Sequence, residues 1–358
     1  MNAYSQGKSG GDMCFIEIFK RIKPKNITVV TSSLGRRLCQ SEGLEANFTI
    51  TTRERSFKNV FVIYFQRIFS SLMIAFKIRK VDIIYATSDA LPDIIPSLLL
   101  KLRFRKALFI TKMFHLIPKN RFASYLFQQI SLIFIRFFAD VVIVDSNILK
   151  KQLINYGFLR SKLHVIYPGI TLRKQNKSEK KYDGAFMSRL HKSKGIDDVL
   201  FIWKEVVQIL PAAKLAIIGH GSNKIFKKLK KQINKLNLNQ NIEFLSFLSD
   251  ENAFSVINSS KIFLFPSHEE GFGLIIGEVL SCDVPVVAYD LPAYNETFKP
   301  YIQTAPCFNK QKFAAMVLSI LNNTSQKSLK DPTDFLKNLS WDSCCNYEYK
   351  LIHKKMAY

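Results

Sequence analysis

From one end of this chain to the other, short apolar runs rich in β-branched residues alternate with longer stretches of helical pattern. No other feature constrains the fold as strongly. The strand candidates are residues 27–31, 82–85, 107–111, 141–145 and 164–167, then 182–187, 214–218, 242–244, 262–265 and 284–288. Most are near-continuous apolar runs, as parallel strands need when helices cover both faces. Strand–helix alternation at this spacing implies βαβ units wound into parallel sheets. There is no fixed-period repeat, and no low-complexity tract beyond lysine-rich patches.

A chain of 358 residues has room for two such domains. The best boundary follows Pro168-Gly169, where a strand ends and residues 171–181 turn polar and lysine-rich, as a linker does. The expected domains are therefore residues 1–170 and 171–335. The tail after Asp331-Pro332 reads as one helix over 334–353, with residues 336–358 free to return to the first domain. At the other end, Ser9-Gly10-Gly11 opens an amphipathic helix whose apolar face is Phe15, Ile16, Ile18, Phe19 and Ile22. A glycine turn at a helix start is normally positioned by a preceding strand. Here the first strand is missing or degenerate in residues 1–8.

The stretch richest in chemistry is 261–296, KIFLFPSHEEGFGLIIGEVLSCDVPVVAYDLPAYNE. Residues 262–265 form a buried strand, Pro266–Glu270 the loop at its carboxyl end, and Gly271-Phe272-Gly273 the opening of a helix over 274–280. Ligands in open α/β sheets bind at that edge. The helix's first N–H groups, around Gly273, Leu274 and Ile275, offer an anion site. Glycine at 271 and 273 lets a ligand approach the backbone closely. Glu270 falls on the loop and Glu278 about one and a half turns into the helix. One carboxylate can meet the sugar end of a ligand while the other holds a ribose diol. The bland alternative makes Glu278 a solvent-facing helix residue and Glu270 a cap.

E-G-F-G-L-x-x-x-E after a strand ending in P-S resembles the signature of the family 4 glycosyltransferases. That family has the GT-B fold: two Rossmann-like doubly wound domains facing across a cleft, with a C-terminal helix crossing back to domain one. Residues 182–199, with DGAFMSRLHKSKGIDDV, resemble the opening of its donor domain. Arg189 and Lys194 fall where the family places two cations on the donor diphosphate, and cations there would stabilise a leaving group as its charge grows. AIIGHGSN carries Gly219 and Gly221, which stand where the family's backbone nears the nucleotide; alone, G-x-G is a weak signal. VIYPGI at 165–170 resembles the hinge, and Ser340-Trp341-Asp342 the start of the final helix. In the first half, Gly10 and Gly11 resemble the glycine loop facing the donor phosphates, and His115 the histidine facing the transferred sugar. A lone histidine is more often structural.

The resemblance implies a retaining transfer from a nucleotide sugar to a glycan or lipid-linked acceptor in polysaccharide or glycolipid synthesis. No D-x-D triplet is present, so a metal-bridged diphosphate is not required, and the resemblance implies transfer with neither a metal nor another cofactor. Departures from the pattern are Asp283 and Val284 before Pro285, and Val279 where the family usually has alanine. They mark a divergent member. The weak first strand leaves room for a decayed GT-B protein that acts as a membrane-surface scaffold.

The charge is uneven. Residues 1–170 carry 26 basic and 10 acidic groups, and residues 171–358 carry 26 and 18. Such a field attracts polyanions. Nucleic acid is not an expected partner, because no helix-turn-helix, zinc or RNP-like motif accompanies the charge. Residues 53–80 and 101–136 interleave Arg and Lys with aromatic and aliphatic residues, which fits docking on an anionic leaflet. The longest uncharged candidate, 122–135, contains Gln128 and Gln129 and is too short to span a bilayer. The opening residues do not read as a signal peptide. The six cysteines show no paired or zinc-like spacing. The expected place is the cytoplasm, on the inner face of the membrane.

Overall fold

Every apolar run expected as a strand is one, to within about two residues at its ends. The computed structural model describes residues 1–3, 9–53, 60–173, 179–246, 248–324 and 329–357. Part of the expected linker, 174–178, and most of the weak strand region, 4–8, lie outside the described residues. Two units divide the chain: Met1–Gly169 with Leu339–Tyr358, and Ile170–Asn338.

The first unit runs α1 (Gly10–Ile22), β1 (Thr28–Thr31), α2 (Ser33–Ser41), β2 (Asn47–Ile50), α3 (Val60–Lys77), β3 (Ile83–Ala86), α4 (Leu91–Arg103), β4 (Leu108–Met113), α5 (Phe122–Phe138), β5 (Val141–Val144), α6 (Asn147–Asn155) and β6 (Leu163–Val165). All its strand pairs are parallel, β1 with β2 and then β3-β4-β5-β6. Met1–Ala3 takes the place of the weak first strand between them. Asn2 bridges to Thr31, its N–H donates to Val30 O at 2.9 Å, and Thr87 N–H donates to Met1 O at 2.9 Å. Asn2 and Ala3 are buried there. The sequence hides this element because Met-Asn-Ala is short and has no β-branched residue.

The second unit runs β7 (Gly184–Met187), α7 (Ile196–Ile209), β8 (Leu215–Ile218), α8 (Asn223–Lys235), β9 (Ile242–Leu245), α9 (Asp250–Asn258), β10 (Phe263–Phe265), α10 (Leu274–Leu280), β11 (Val286–Tyr289), β12 (Gln303–Ala305), α11 (Lys310–Leu321) and α12 (Thr333–Asn338). Its six strands are all parallel in the order β12-β11-β10-β7-β8-β9. Trp203, Phe186, Leu264, Val287 and Phe313 meet in its core, between one face of the sheet and the helices over it. Two edge-region strands escaped the sequence reading, β2 (NFTI) and β12 (QTA). Both are short and carry polar residues, so neither shows the apolar run that marks the inner strands.

The tail is not the single helix expected over 334–353. It breaks after Asn338, and Ser340 caps a new helix, α13 (Trp341–Met356), by accepting from Ser343 N–H. Leu339–Tyr358 then belongs to the first unit. There α13 buries Trp341, Cys344, Cys345, Glu348 and Ile352. Glu348 forms an ion pair with Lys112 of β4 at 2.7 Å and accepts the Tyr85 hydroxyl of β3.

Candidate active site

Strand order decides which loops meet. In the six-stranded sheet the chain runs outward from β7 through β8 to β9, then returns to β10 on the other side of β7. Winding reverses between β7 and β10, and a crevice at the strands' carboxyl ends is the usual ligand position in such sheets. The loops bordering it are 188–195 after β7 and 266–273 after β10, with 219–222 after β8 beside them.

These loops are in contact. His268 N–H donates to Ser193 O at 2.8 Å, and Leu190 N–H donates to His220 O at 2.9 Å. A side chain at Gly219 would put its Cβ 2.1 Å from Ser188 O. At Gly195 the Cβ would lie 1.9 Å from Pro266 O, and φ is +72°, so close approach and left-handed backbone both demand glycine. Gly195→Ala is therefore expected to cost about 2 kcal/mol or more of stability. Thermal unfolding reads this, and an unchanged melting temperature would mean that the two loops are not packed together.

Within this frame the charges converge unevenly. Lys194 ends a short 3-10 turn, Lys192–Lys194, which His191 caps by accepting from Ser193 N–H. Its Nζ lies 2.6 Å from Glu270 Oε1, with side chains 19% and 12% exposed. The Ser267 hydroxyl donates to the same carboxylate oxygen at 2.7 Å. Arg189 lies two residues beyond β7, exposed, and pairs with no carboxylate among the described residues. Thus Lys194 and Glu270 are brought together, while Arg189 stays on the same sheet edge with its guanidinium in solvent.

Glu278 lies on the half-open face of α10 with Leu274 and Ile275, and its Oε1 accepts from Thr171 N–H at 3.4 Å. Gly273 precedes α10 with φ +90°, and Phe272 beside it is buried against Phe298. Gly271 is half-buried, Gly219 buried and Gly221 exposed. With only seven residues, α10 has the small dipole of two turns, so side chains supply most of the charge at this edge.

Three elements of this edge were not legible in the sequence. Asp198, in the first turn of α7, accepts from Tyr289 Oη at 2.9 Å, meets His268 Nε2 at 2.9 Å, and has Lys310 Nζ at 3.5 Å. This carboxylate ties the loop after β10 to α7 and β11. Tyr294 is fully buried beneath the glycine turn, its hydroxyl without a hydrogen-bond partner among the described residues. Burial, and then the charge of Glu270, push that hydroxyl's pKa well above its ordinary value. Gly195 is the third, because its need shows only when Pro266 is placed against it.

Gly10, Gly11 and His115 belong to the first unit. Gly10 and Gly11 open α1 behind Ser9, whose hydroxyl accepts from Asp12 N–H at 3.2 Å. A Cβ on Gly11 would lie 3.0 Å from the Phe114 ring, so the glycine turn meets the loop that carries His115. His115 is exposed, and its carbonyl accepts from Gln128 Nε2 at 3.0 Å, which also donates to Asp89 at 2.6 Å.

The family model described as "Glycosyl transferases group 1" matches residues 170–337, and "Glycosyltransferase Family 4" matches residues 23–174. An uncharacterised glycosyltransferase of Methanocaldococcus jannaschii is 31% identical over 222 residues, covering 56% of this chain and 53% of that protein. The poly(glycerol-phosphate) alpha-glucosyltransferase of Bacillus subtilis is 30% identical over 172 residues, 48% of this chain and 24% of that protein. The chain thus spans about half or less of the length of these curated relatives. The crystal structure of Anabaena Alr3699/HepE in complex with UDP and glucose superposes with a TM-score of 0.78 at 18% identity, covering 98% of this chain and 97% of that one. That likeness is one of fold, GT-B, with two Rossmann-like units. With its two halves matched in turn by the two models, the chain belongs to the family 4 glycosyltransferases.

Proposed function

We propose that this chain transfers a sugar from a nucleotide sugar to a glycan or lipid-linked acceptor, with retention of configuration and without a metal, in making a cell-surface polysaccharide or glycolipid. The observation that carries the reading is the Lys194–Glu270 pair at the reversal point of the sheet, 2.6 Å apart beside a loop that holds Arg189. Breaking the sugar–phosphate bond leaves negative charge on the diphosphate. Lys194 and Arg189 are the cations assigned to it, and they act most where that charge develops. Glu270 orients the transferred sugar, and Glu278 accepts hydrogen bonds from the ribose. Gly219 and Gly221, with Gly271, Phe272, Gly273, Leu274 and Ile275, form the backbone the nucleotide approaches. Gly10 and Gly11 lie against the donor phosphates, and His115 faces the sugar.

The B. subtilis relative's glucosyl transfer and the UDP and glucose of the Anabaena structure support a UDP-sugar donor. A lipid-linked acceptor is presented at the inner leaflet, so the enzyme works as a peripheral protein of the cytoplasm. The alternative of a decayed scaffold draws on the weak first strand, and Met1–Ala3 between β1 and β3 weakens that support.

UDP-, GDP- and ADP-sugars offered in turn should raise the melting temperature only for the true donor class, by mass action. Slow hydrolysis of that donor is expected in the absence of acceptor. A chain that neither binds nor hydrolyses any of them would sink the enzyme reading. Glu278→Gln should raise the Michaelis constant for the donor with little change in turnover, because a ribose contact is equal in ground and transition states. Steady-state kinetics with varied donor separates this from a loss of turnover, which would remove Glu278 from the ribose.

A further inference from the structure

Two helices of the first unit carry large apolar residues on their outer faces. On α3 the inward face carries Tyr64, Arg67, Ser71 and Ala75, all buried, while Val62, Phe65, Phe69, Met73 and Phe76 face out. On α5 the buried positions are Gln128, Ser131, Leu132 and Ile135, and the exposed ones are Phe122, Leu126, Ile130, Ile133 and Phe137 with Arg136 beside them. Both outward sets recur every three or four residues, so each is one stripe along its helix. Phe65 and Phe122 are 73% and 72% exposed, far from the usual burial of phenylalanine. The helices are neighbours: Tyr64 of α3 stacks on Phe127 of α5 with ring centroids 4.6 Å apart. With five exposed apolar residues on each helix, the two stripes are larger than scattered surface residues would make.

Charge says what covers it. Residues 55–81 and 94–139 contain no Asp or Glu, yet carry six and eight Lys or Arg. Lys77, Arg79, Lys80, Arg103, Arg105 and Arg121 are exposed at the ends of the apolar helices and the adjoining turns. A second copy would bring the same cations against themselves, since a two-fold contact is isologous. Among the described residues no helix is long and apolar enough to cross a membrane. A surface that is apolar at its centre, cationic at its rim and free of carboxylates matches an anionic lipid leaflet.

We propose that α3 and α5 dock the protein on an anionic membrane by sinking their phenylalanine stripes among the acyl chains while the surrounding Lys and Arg hold the headgroups. This rests on the reading of the chain as a peripheral membrane enzyme, and adds the surface and an insertion that charge alone would not require. The acyl region then serves as the solvent of these outer faces, which accounts for the large apolar residues they present.

The experiment uses the full chain with vesicles of phosphatidylcholine alone or mixed equally with phosphatidylglycerol. Binding to the mixed vesicles is expected, weaker at high salt but not abolished, because the apolar part is not screened. Phe65→Asp with Phe122→Asp should weaken it at least about tenfold per phenylalanine removed, even at high salt. Reversal at Arg103, Arg105 and Lys106 to Glu should weaken it only at low salt. Phe65→Trp should emit to the blue on vesicles and be quenched by brominated acyl chains. Binding that vanishes at high salt and ignores the phenylalanine changes would overturn insertion. So would a lipid-free dimer dispersed by those changes while lipid binding persists. Donor hydrolysis in detergent-free buffer is measured alongside. An unmodified chain that hydrolyses the donor but does not bind the mixed vesicles overturns this proposal alone, and one that binds them but hydrolyses no donor overturns the glycosyltransferase reading alone.

Discussion

Lys194→Ala should turn over the donor about a hundredfold or more slowly than the parent chain, with the Michaelis constant changed far less. The expectation follows from where the ammonium stands. It is mostly shielded from water, 19% exposed, and lies on a loop held by Ser193 O and Gly195 against the loop after β10. A cation fixed this way does not reorganise when the diphosphate departs, so its stabilisation grows with the leaving charge. Its 2.6 Å contact with Glu270 adds a second consequence. Without Lys194 that carboxylate, 12% exposed, keeps only Ser267 among its named partners and repels the donor phosphates. Glu270→Gln in the Lys194→Ala background should therefore recover donor binding but not turnover. A variant with raised Michaelis constant and unchanged turnover would show that Lys194 binds substrate and transition state alike, and would remove it from the leaving-group role.

Glu348→Leu should destabilise the first unit by about 3–5 kcal/mol, as the loss of one partner from a buried ion pair does. Glu348 is fully buried on α13, and Lys112 is 5% exposed on β4. The surroundings are buried: Cys14 is 1% exposed, and burial pushes its thiol up to about 12. Removing the carboxylate leaves the ammonium unpaired and takes the acceptor from Tyr85. Replacing both charges, as Lys112→Met with Glu348→Leu, should restore most of the loss, because two well-packed apolar groups replace a costly pair. Urea unfolding followed for the first unit tests this. A single variant within about 0.5 kcal/mol of the parent would mean that water already reaches the pair.

Local pattern made much of this molecule legible. Apolar runs of four or five residues mark the inner strands because both of their faces are covered, and glycine and proline mark where they end. The helix over Leu274–Leu280 could be read the same way, whereas the helix start at Ser340 came from the family resemblance. β2 and β12 could not, since strands with polar residues and few neighbours carry little apolar signal. Nor could the break at Leu339, where one helical pattern serves two units because each half buries its own face elsewhere.

For the candidate site, the sequence by itself determined which residue types stand on which loops, and the family resemblance supplied the roles of Arg189, Lys194, Glu270 and Glu278. Tertiary structure decided which of them meet. Lys194 touches Glu270 because β10 returns beside β7, a matter of strand order that no local period records. The same holds for Asp198 joining His268 and Tyr289, and for Tyr294 buried near Glu270. It holds equally for α3 and α5. Their composition showed apolar helices rich in phenylalanine, but only packing showed that Arg67, Ser71, Gln128 and Ser131 turn inward while Phe65, Phe69, Phe76, Phe122 and Phe137 turn out. Periodicity is a property of neighbours along the chain and names a helix's faces. Which face is covered depends on partners distant in sequence, and those are placed only when the whole chain has folded.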